Sequence, residues 1–296
     1  MPIERVYGCD VTHTGSYRPL RSRASTLPPV ARVRLDTLLA QRGLFASRSR
    51  AAASVMAGEV LVGAERRRVD KPGHQVAADV AVEVAEGPAY VSRGGVKLAN
   101  ALDALGIDVA GRRALDVGAS TGGFTDCLLQ RGVAEVVSLD VAYGELAWSL
   151  RTDARVIVLE RVNARSVAPG SLPWAPDLVV ADVSFISLTK VLPAVLSLVA
   201  PRFDALAMVK PQFEVGRGSV GSGGVVREAA GRRGALVDVA RCAVGLGAAV
   251  LGFASSGLPG PKGNRETFVW LAEAGRSGAL EDIEAAAAAA EPGEAA

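Results

Sequence analysis

The chain has 296 residues, of which 49% are hydrophobic and 22% are charged, and its formal net charge is +2. This length accommodates a domain of roughly 200 residues and a smaller one. No apolar run approaches the roughly 20 residues of a membrane span, so a membrane partner is not expected. Three cysteines and two histidines share no metal-ligand spacing. We therefore expect no metal site and a reducing, cytoplasmic location.

Charge is unevenly distributed along the chain. Residues 30–72 carry nine Arg and Lys against four Asp and Glu, whereas residues 273–296 carry one arginine against six acidic residues. A basic module on a nearly neutral body indicates a polyanionic partner bound by one end of the molecule. Lysine is rare, and an ammonium can lose its proton when buried, which a guanidinium cannot. Lysines beside strand ends are therefore candidate reacting groups.

The first 29 residues are rich in Arg, Ser, Thr and Pro and lack periodicity. We expect residues 1–29 to be a disordered extension. An alternative is that translation starts near Val30 and the segment is not made.

Residues 30–86 predict a small α+β domain. Apolar residues at helical spacing predict a first helix that ends at Gly43, and Ser47 is a candidate N-cap for a second helix. Short strands are predicted over residues 59–63 and 80–84. The basic side chains fall near the helix ends and turns of this domain.

This stretch resembles the S4 RNA-binding domain. The resemblance is carried by residues 34–36, 42–44, 47–51 and 58–63. It implies RNA binding, and the N-terminus of the second helix already favours phosphate. The alternative is a solvated basic face. The candidate RNA-binding residues are Arg32, Arg34, Arg48, Arg50, Arg66, Arg67 and Arg68.

After a linker over residues 87–95, strand and helix patterns alternate across residues 96–275. The predicted strands cover residues 113–117, 135–140, 156–159, 177–182, 205–209, 249–253 and 266–271. The first five are predicted to be buried and parallel, and seven strands with intervening helices indicate a doubly wound, Rossmann-like α/β domain. Residues 276–296 are alanine-rich and predict a frayed helix or a disordered tail.

A glycine-rich turn follows the first of these strands, at residues 118–123. It matches neither a P-loop nor the Gly-x-Gly-x-x-Gly fingerprint. Asp140 lies 22 residues after Gly118, at the end of the second strand, where a carboxylate can bind ribose hydroxyls. The combination predicts S-adenosylmethionine as cofactor, and the alternative is another nucleotide. The candidate cofactor-binding residues are Asp116, Gly118, Ser120, Gly122, Gly123, Phe124, Asp140, Asn163 and Asp182, with Phe185 as a further pocket-lining candidate.

The residues at the strand ends favour a hydroxyl group as methyl acceptor. Neither Cys127 nor Cys242 is placed as the nucleophile of a cytosine-C5 enzyme, and the fourth strand lacks the Asn/Asp-Pro-Pro-aromatic turn of base-amine enzymes. Lys210 and Asp182 end neighbouring predicted strands. A lysine oriented by an aspartate is suited to removing a hydroxyl proton.

With Lys97 and Glu266, these two residues resemble the Lys-Asp-Lys-Glu tetrad of FtsJ-type ribose 2′-O-methyltransferases. The S4-like domain and residues 92–95, 182–187 and 209–216 resemble the TlyA family more closely. The resemblance implies 2′-O-methylation of cytidines in 16S and/or 23S ribosomal RNA, within 30S and/or 50S subunits. It implies that Lys210 deprotonates or orients the hydroxyl, that Asp182 holds Lys210, and that Lys97 and Glu266 position the ribose.

Other interpretations predict different features. The tetrad residues could be structural ion pairs, and a non-catalytic ribosome assembly factor would keep the basic domain without needing them. A membrane-lysing protein would need an amphipathic or spanning segment. A pseudouridine synthase with an S4-like domain would not need the glycine-rich cofactor turn.

Overall fold

The computed structural model describes residues 31–56, 58–85, 88–216, 220–221 and 223–291. The chain divides into two compact units between Gly87 and Pro88. The predicted extension over residues 1–29 lies outside the described residues.

The small unit contains two helices and two antiparallel sheets. Its elements are β1 (Arg32–Arg34), α1 (Leu35–Gln41), α2 (Arg48–Met56), β2 (Val60–Val62), β3 (Arg67–Arg68), β4 (Gln75–Ala77) and β5 (Val82–Val84). Strand β1 pairs with β4, and β2 lies between β3 and β5. The leucines of α1 and the buried face of α2 pack on β2 to form a separate core. The predicted N-cap is present, because Ser47 Oγ accepts a hydrogen bond from the backbone N–H of Arg50.

The large unit is a seven-stranded sheet with helices. Its elements are α3 (Arg93–Leu105), β6 (Arg113–Val117), α4 (Gly123–Gln130), β7 (Glu135–Leu139), α5 (Trp148–Arg151), β8 (Val156–Leu159), β9 (Leu178–Ala181), α6 (Leu192–Leu196), β10 (Asp204–Val209), α7 (Pro211–Glu214), α8 (Ala229–Gly245), β11 (Ala248–Ser255), β12 (Thr267–Glu273) and α9 (Ile283–Ala290). The strand order is β11-β12-β10-β9-β6-β7-β8.

This topology confirms the predicted α/β class and creates a switch point. Within the group β6 to β10, each pair of neighbouring strands is parallel. Strand β12 is antiparallel to both β10 and β11. The chain builds outward from β6 to β8 and then returns to place β9 on the other side of β6. Open α/β sheets bind ligands where the strand order reverses, outside the carboxyl ends of the strands.

The predicted linker over residues 87–95 is shorter than the sequence indicated. Helix α3 begins at Arg93, and Ser92 caps it by accepting a hydrogen bond from Gly94. Two glycines in a first turn lower the helix propensity, which is why the pattern suggested a linker. A Cβ on Gly95 would collide with the ring of Tyr90, so this close packing needs glycine.

The alanine-rich segment is also more ordered than predicted. Asp282 caps α9 by accepting a hydrogen bond from Ala285, and Ala287 is fully buried. The helix packs on α8 and β11. An apolar alanine face is stabilised here by tertiary packing, which composition alone does not reveal. Residues 276–291 therefore belong to the large unit.

Candidate active site

Three cavities open around the carboxyl ends of the central strands. The Asp140 cavity, of about 460 Å³, is lined by residues from the ends of β6, β7 and β9, including Asp140, and by residues that follow β8, including Asn163. The Lys97 cavity, of about 320 Å³, lies between α3 and the glycine-rich turn. The Lys210 cavity, of about 440 Å³, is lined by residues following β9 and β10 and preceding β12. All three volumes lie within the range of small-ligand sites.

The glycine-rich turn is held against the strand ends by close backbone contacts. Gly118 has a φ of +85°, and a Cβ there would lie 2.5 Å from the carbonyl oxygen of Asp182. Ser120 also has a positive φ, and its backbone N–H donates to Asp140 Oδ2 at 2.7 Å. The other oxygen of Asp140 accepts the N–H of Ala142 at 2.7 Å. Two backbone donors therefore fix the carboxylate at the cavity wall.

Most predicted cofactor residues line these cavities. Gly118 and Ser120 line the Asp140 cavity and the Lys97 cavity, and Asp182 also lines both. Gly123 and Phe124 line the Lys97 cavity, although the Phe124 ring is mostly buried against Phe268.

Two predicted cofactor residues lie outside the cavity walls. Asp116 is fully buried at the end of β6, where its Oδ2 accepts a hydrogen bond from Thr125 at 2.7 Å. Burial, and secondarily the charges of Asp182 and Asp140, raise the pKa of Asp116 to about 7. A Cβ on Gly122 would collide with leucine side chains of the neighbouring segment. Asp116 and Gly122 support the glycine-rich turn through packing. The structure does not place either of them in contact with a cofactor.

The four tetrad residues form two ion pairs. Lys97, on α3, pairs with Glu266, which directly precedes β12, and the two side chains are 8% and 1% exposed. Lys210, directly after β10, pairs with Asp182, directly after β9, at 2.5 Å. The second pair is more open, because the side chain of Asp182 is 24% exposed.

Lys210 has an additional partner that the sequence did not identify. Its Nζ donates to Ser184 Oγ at 2.9 Å. An ammonium has three donors, so one remains for the Lys210 cavity, which both residues line. The position of Ser184, two residues beyond Asp182, is the available sequence signal for this role.

A half-buried carboxylate ties the two segments that carry the second pair. Glu214, in α7, accepts hydrogen bonds from Ser187 Oγ at 2.6 Å and from the backbone N–H of Leu188 at 2.9 Å. Burial raises the pKa of Glu214. The rings of Phe185 and Phe213 lie 5.3 Å apart above this connection, and Phe185 has a φ of +64° with its side chain 91% exposed. This unusual backbone conformation was not predicted.

The seven predicted RNA-binding arginines are all exposed in the small unit. Arg34 and Arg48 both donate to the buried carboxylate of Asp36. Arg66 pairs with Glu83, and Arg67 lies 3.3 Å from a ring nitrogen of His74. The remaining three are Arg32, Arg50 and Arg68. Asp36 therefore fixes two of the basic side chains, whereas the others have looser surroundings.

Among the described residues, no helix is long and apolar enough to cross a bilayer. Within the same part of the chain, no cluster of three His, Cys, Asp or Glu side chains could hold a metal ion.

Comparison with known proteins identifies the family. A model of FtsJ-like methyltransferases matches residues 90–273, and a model of the S4 domain matches residues 33–82. The chain is 51% identical over 247 residues to the 16S/23S rRNA (cytidine-2′-O)-methyltransferase TlyA of Mycobacterium tuberculosis, which covers 81% of this chain and 90% of that relative. It is 33% identical over 182 residues to the 23S rRNA (cytidine-2′-O)-methyltransferase TlyA of Campylobacter jejuni, over 61% of this chain and 70% of the relative.

A solved structure from Streptococcus thermophilus, which carries a hemolysin name, has a TM-score of 0.66 and 37% identity, covering 88% of this chain and 96% of its own. The chain, which joins an S4 domain to an FtsJ-like methyltransferase domain, therefore belongs to the TlyA family.

Proposed function

We propose that this protein transfers the methyl group of S-adenosylmethionine to the 2′-hydroxyl of a cytidine in ribosomal RNA. The observation that carries the proposal is the position of the Lys210–Asp182 pair between two cavities. Asp182 lines the Asp140 cavity, and Lys210 lines the Lys210 cavity. The names of the two TlyA relatives support the substrate class.

The Asp140 cavity suits the cofactor. Each oxygen of Asp140 accepts one backbone N–H and keeps a lone pair for a ribose hydroxyl. The absent Cβ at Gly118 leaves the backbone of the turn open to close approach. Asn163 and Ser120 line the same cavity and complete the set of polar groups. When bound there, S-adenosylmethionine supplies an electrophilic methyl group on a positively charged sulfur.

Lys210 is the group that receives or orients the proton of the 2′-hydroxyl. Its ion pair with Asp182 and its hydrogen bond with Ser184 fix Nζ at the edge of the Lys210 cavity. A fixed group within hydrogen-bond reach of the hydroxyl contributes about 10²- to 10⁴-fold to a rate. Glu266 lines the Lys210 cavity and pairs with Lys97 of α3, so this buried pair fixes the wall against which the ribose is positioned.

The S4 domain delivers the ribosomal RNA. Its seven candidate arginines supply phosphate contacts, with Arg34 and Arg48 held by Asp36. We expect both 30S and 50S subunits to be substrates, in the cytoplasm, where the subunits are assembled.

The test is transfer of tritiated methyl groups from S-adenosylmethionine to isolated 30S and 50S subunits that lack 2′-O-methylcytidine. Wild-type protein should label both subunits. Lys210→Ala should abolish labelling while calorimetric binding of S-adenosylmethionine persists. Lys190→Ala is the matched control, because Lys190 is exposed and lines none of the three cavities. It should retain full activity.

The alternatives give distinct results. If Lys210→Ala were as active as the wild-type protein, the proposed role of Lys210 would be refuted. Absence of labelling by the wild-type protein, with intact binding to subunits, would support a non-catalytic assembly factor instead.

A further inference from the structure

The C-terminal end of the described chain carries a buried carboxylate. Glu291 follows α9 directly and is 4% exposed. Its Oε2 accepts a hydrogen bond from Arg232 Nε of α8 at 2.9 Å, and its Oε1 accepts one from Thr267 Oγ1 of β12 at 2.8 Å. Its backbone carbonyl accepts from Arg233 Nε at 2.7 Å. One residue thus joins α8, α9 and the first residue of β12.

Arg232 extends this connection into the segment that precedes α8. The side chain is 4% exposed, and its Nη1 donates to the backbone carbonyl of Arg227. The backbone N–H of Val226 donates in turn to Asn264 Oδ1 at 2.9 Å, and Asn264 Nδ2 donates to the carbonyl of Gly224 at 2.8 Å. If Arg232 were kept without the carboxylate of Glu291, its buried charge would be uncompensated. A test must therefore replace both residues together.

The two arms of this network end at the wall of the Lys210 cavity. Gly224, Asn264 and Glu266 all line that cavity. Glu266 directly precedes Thr267, and its carboxylate pairs with Lys97. The Asp140 cavity is lined by other segments, which Glu291 does not contact. The network therefore supports the wall of the Lys210 cavity, which is the acceptor side of the site. It does not support the Asp140 cavity, which is the cofactor side.

We propose that Glu291 is a positioning residue for the acceptor wall, acting through Thr267 on Glu266 and through Arg232 on the Gly224–Asn264 connection. The proposal rests on the proposed function of the Lys210 cavity. The alanine-rich C-terminal segment is then part of the catalytic unit, because its last helix ends in the carboxylate that fixes this wall.

A double variant separates positioning from stability. Glu291→Leu/Arg232→Met removes both charges, and replacing a buried ion pair by apolar side chains of similar volume is often neutral for stability. We expect its melting temperature to stay near that of the wild type, and its calorimetric affinity for S-adenosylmethionine to be unchanged. Its kcat for methyl transfer to ribosomal subunits should fall by about tenfold or more. A tenfold fall corresponds to a loss of about 1.36 kcal/mol of transition-state stabilisation.

Hydrogen exchange supplies a readout that does not depend on activity. In the double variant, amides in residues 223–228 and 263–268 should exchange faster, while those in the glycine-rich turn should not change. Glu284→Gln is the matched control, because Glu284 lies on the same helix and pairs with Arg241 on the surface. It should change neither readout.

Unchanged exchange together with unchanged kcat in the double variant would overturn the inference. Loss of S-adenosylmethionine affinity in parallel with kcat would also overturn it, because that pattern indicates a general structural role. A wild-type protein without methyl transfer would refute the proposed function, and the exchange measurement would then decide the inference alone.

Discussion

Breaking the Lys97–Glu266 pair should cost the large unit much of its stability. Glu266→Gln leaves the ammonium of Lys97 without its counter-charge, in a place where the two side chains are 8% and 1% exposed. Removing one partner of a buried pair costs about 3–5 kcal/mol. For a unit of roughly 200 residues, 1 kcal/mol shifts the melting temperature by about 2–4 °C. The expected fall is therefore about 6–20 °C.

Differential scanning calorimetry of the full chain measures this change. Lys97→Met/Glu266→Gln, which removes the orphaned charge, should recover most of the lost stability. Asp182→Asn should cost less, because the side chain of Asp182 is 24% exposed and water can solvate Lys210. A fall of less than about 2 °C in Glu266→Gln would refute the reasoning, since it would mean that water reaches Lys97.

Three further predictions concern other sites. Gly118→Ala should weaken S-adenosylmethionine binding in calorimetry, because its Cβ would meet the carbonyl of Asp182 and its φ is positive; unchanged affinity would contradict this. The raised pKa of Asp116 means that the native state keeps a proton the unfolded chain loses, so stability should fall as pH rises from about 4 through about 7. Asp116→Asn should flatten that part of the urea-derived stability profile, and an unaltered slope would count against it. Asp36→Asn should weaken filter-binding to ribosomal RNA, because Arg34 and Arg48 lose their anchor. The control Asp79→Asn, at an exposed position of the same unit, should not weaken it; equal affinities of the two variants would disprove this.

The large sheet could be predicted well because its strands are buried runs. Each of the seven predicted strands is present, within two residues at each end. The antiparallel direction of β12 was not predicted, because a strand buried on both faces shows the same pattern in either direction. The start of helix α3 and the packing of the C-terminal helix were not predicted. Glycines concealed the start of the first, and alanines gave no sign of the surface on which the second packs.

The site was predicted as a set of residues, but not as an arrangement. Nothing local connects Lys97 with Glu266, which lie 169 positions apart and meet because α3 and the start of β12 converge. Asp116, in β6, and Gly122, in the glycine-rich turn, line none of the three cavities. Alternate residues of a strand point to opposite sides, and a tight turn rotates the chain, so proximity in sequence did not reveal this. Glu291 could not be recognised, since its partners lie on two distant elements.

Asp182 is placed to act on both sides of the proposed site, the cofactor cavity and Lys210. It lines the Asp140 cavity and pairs with Lys210, so a cation in the cavity and the ammonium of Lys210 would both lie near it. Two positive charges there would repel each other, and a carboxylate close to both offsets that repulsion. In the proposed reaction, methyl transfer would remove the positive charge from sulfur, and the hydroxyl proton would pass to the group that acts as base. Because Asp182 lines the cofactor cavity and pairs with Lys210, its carboxylate is placed to offset positive charge on either side.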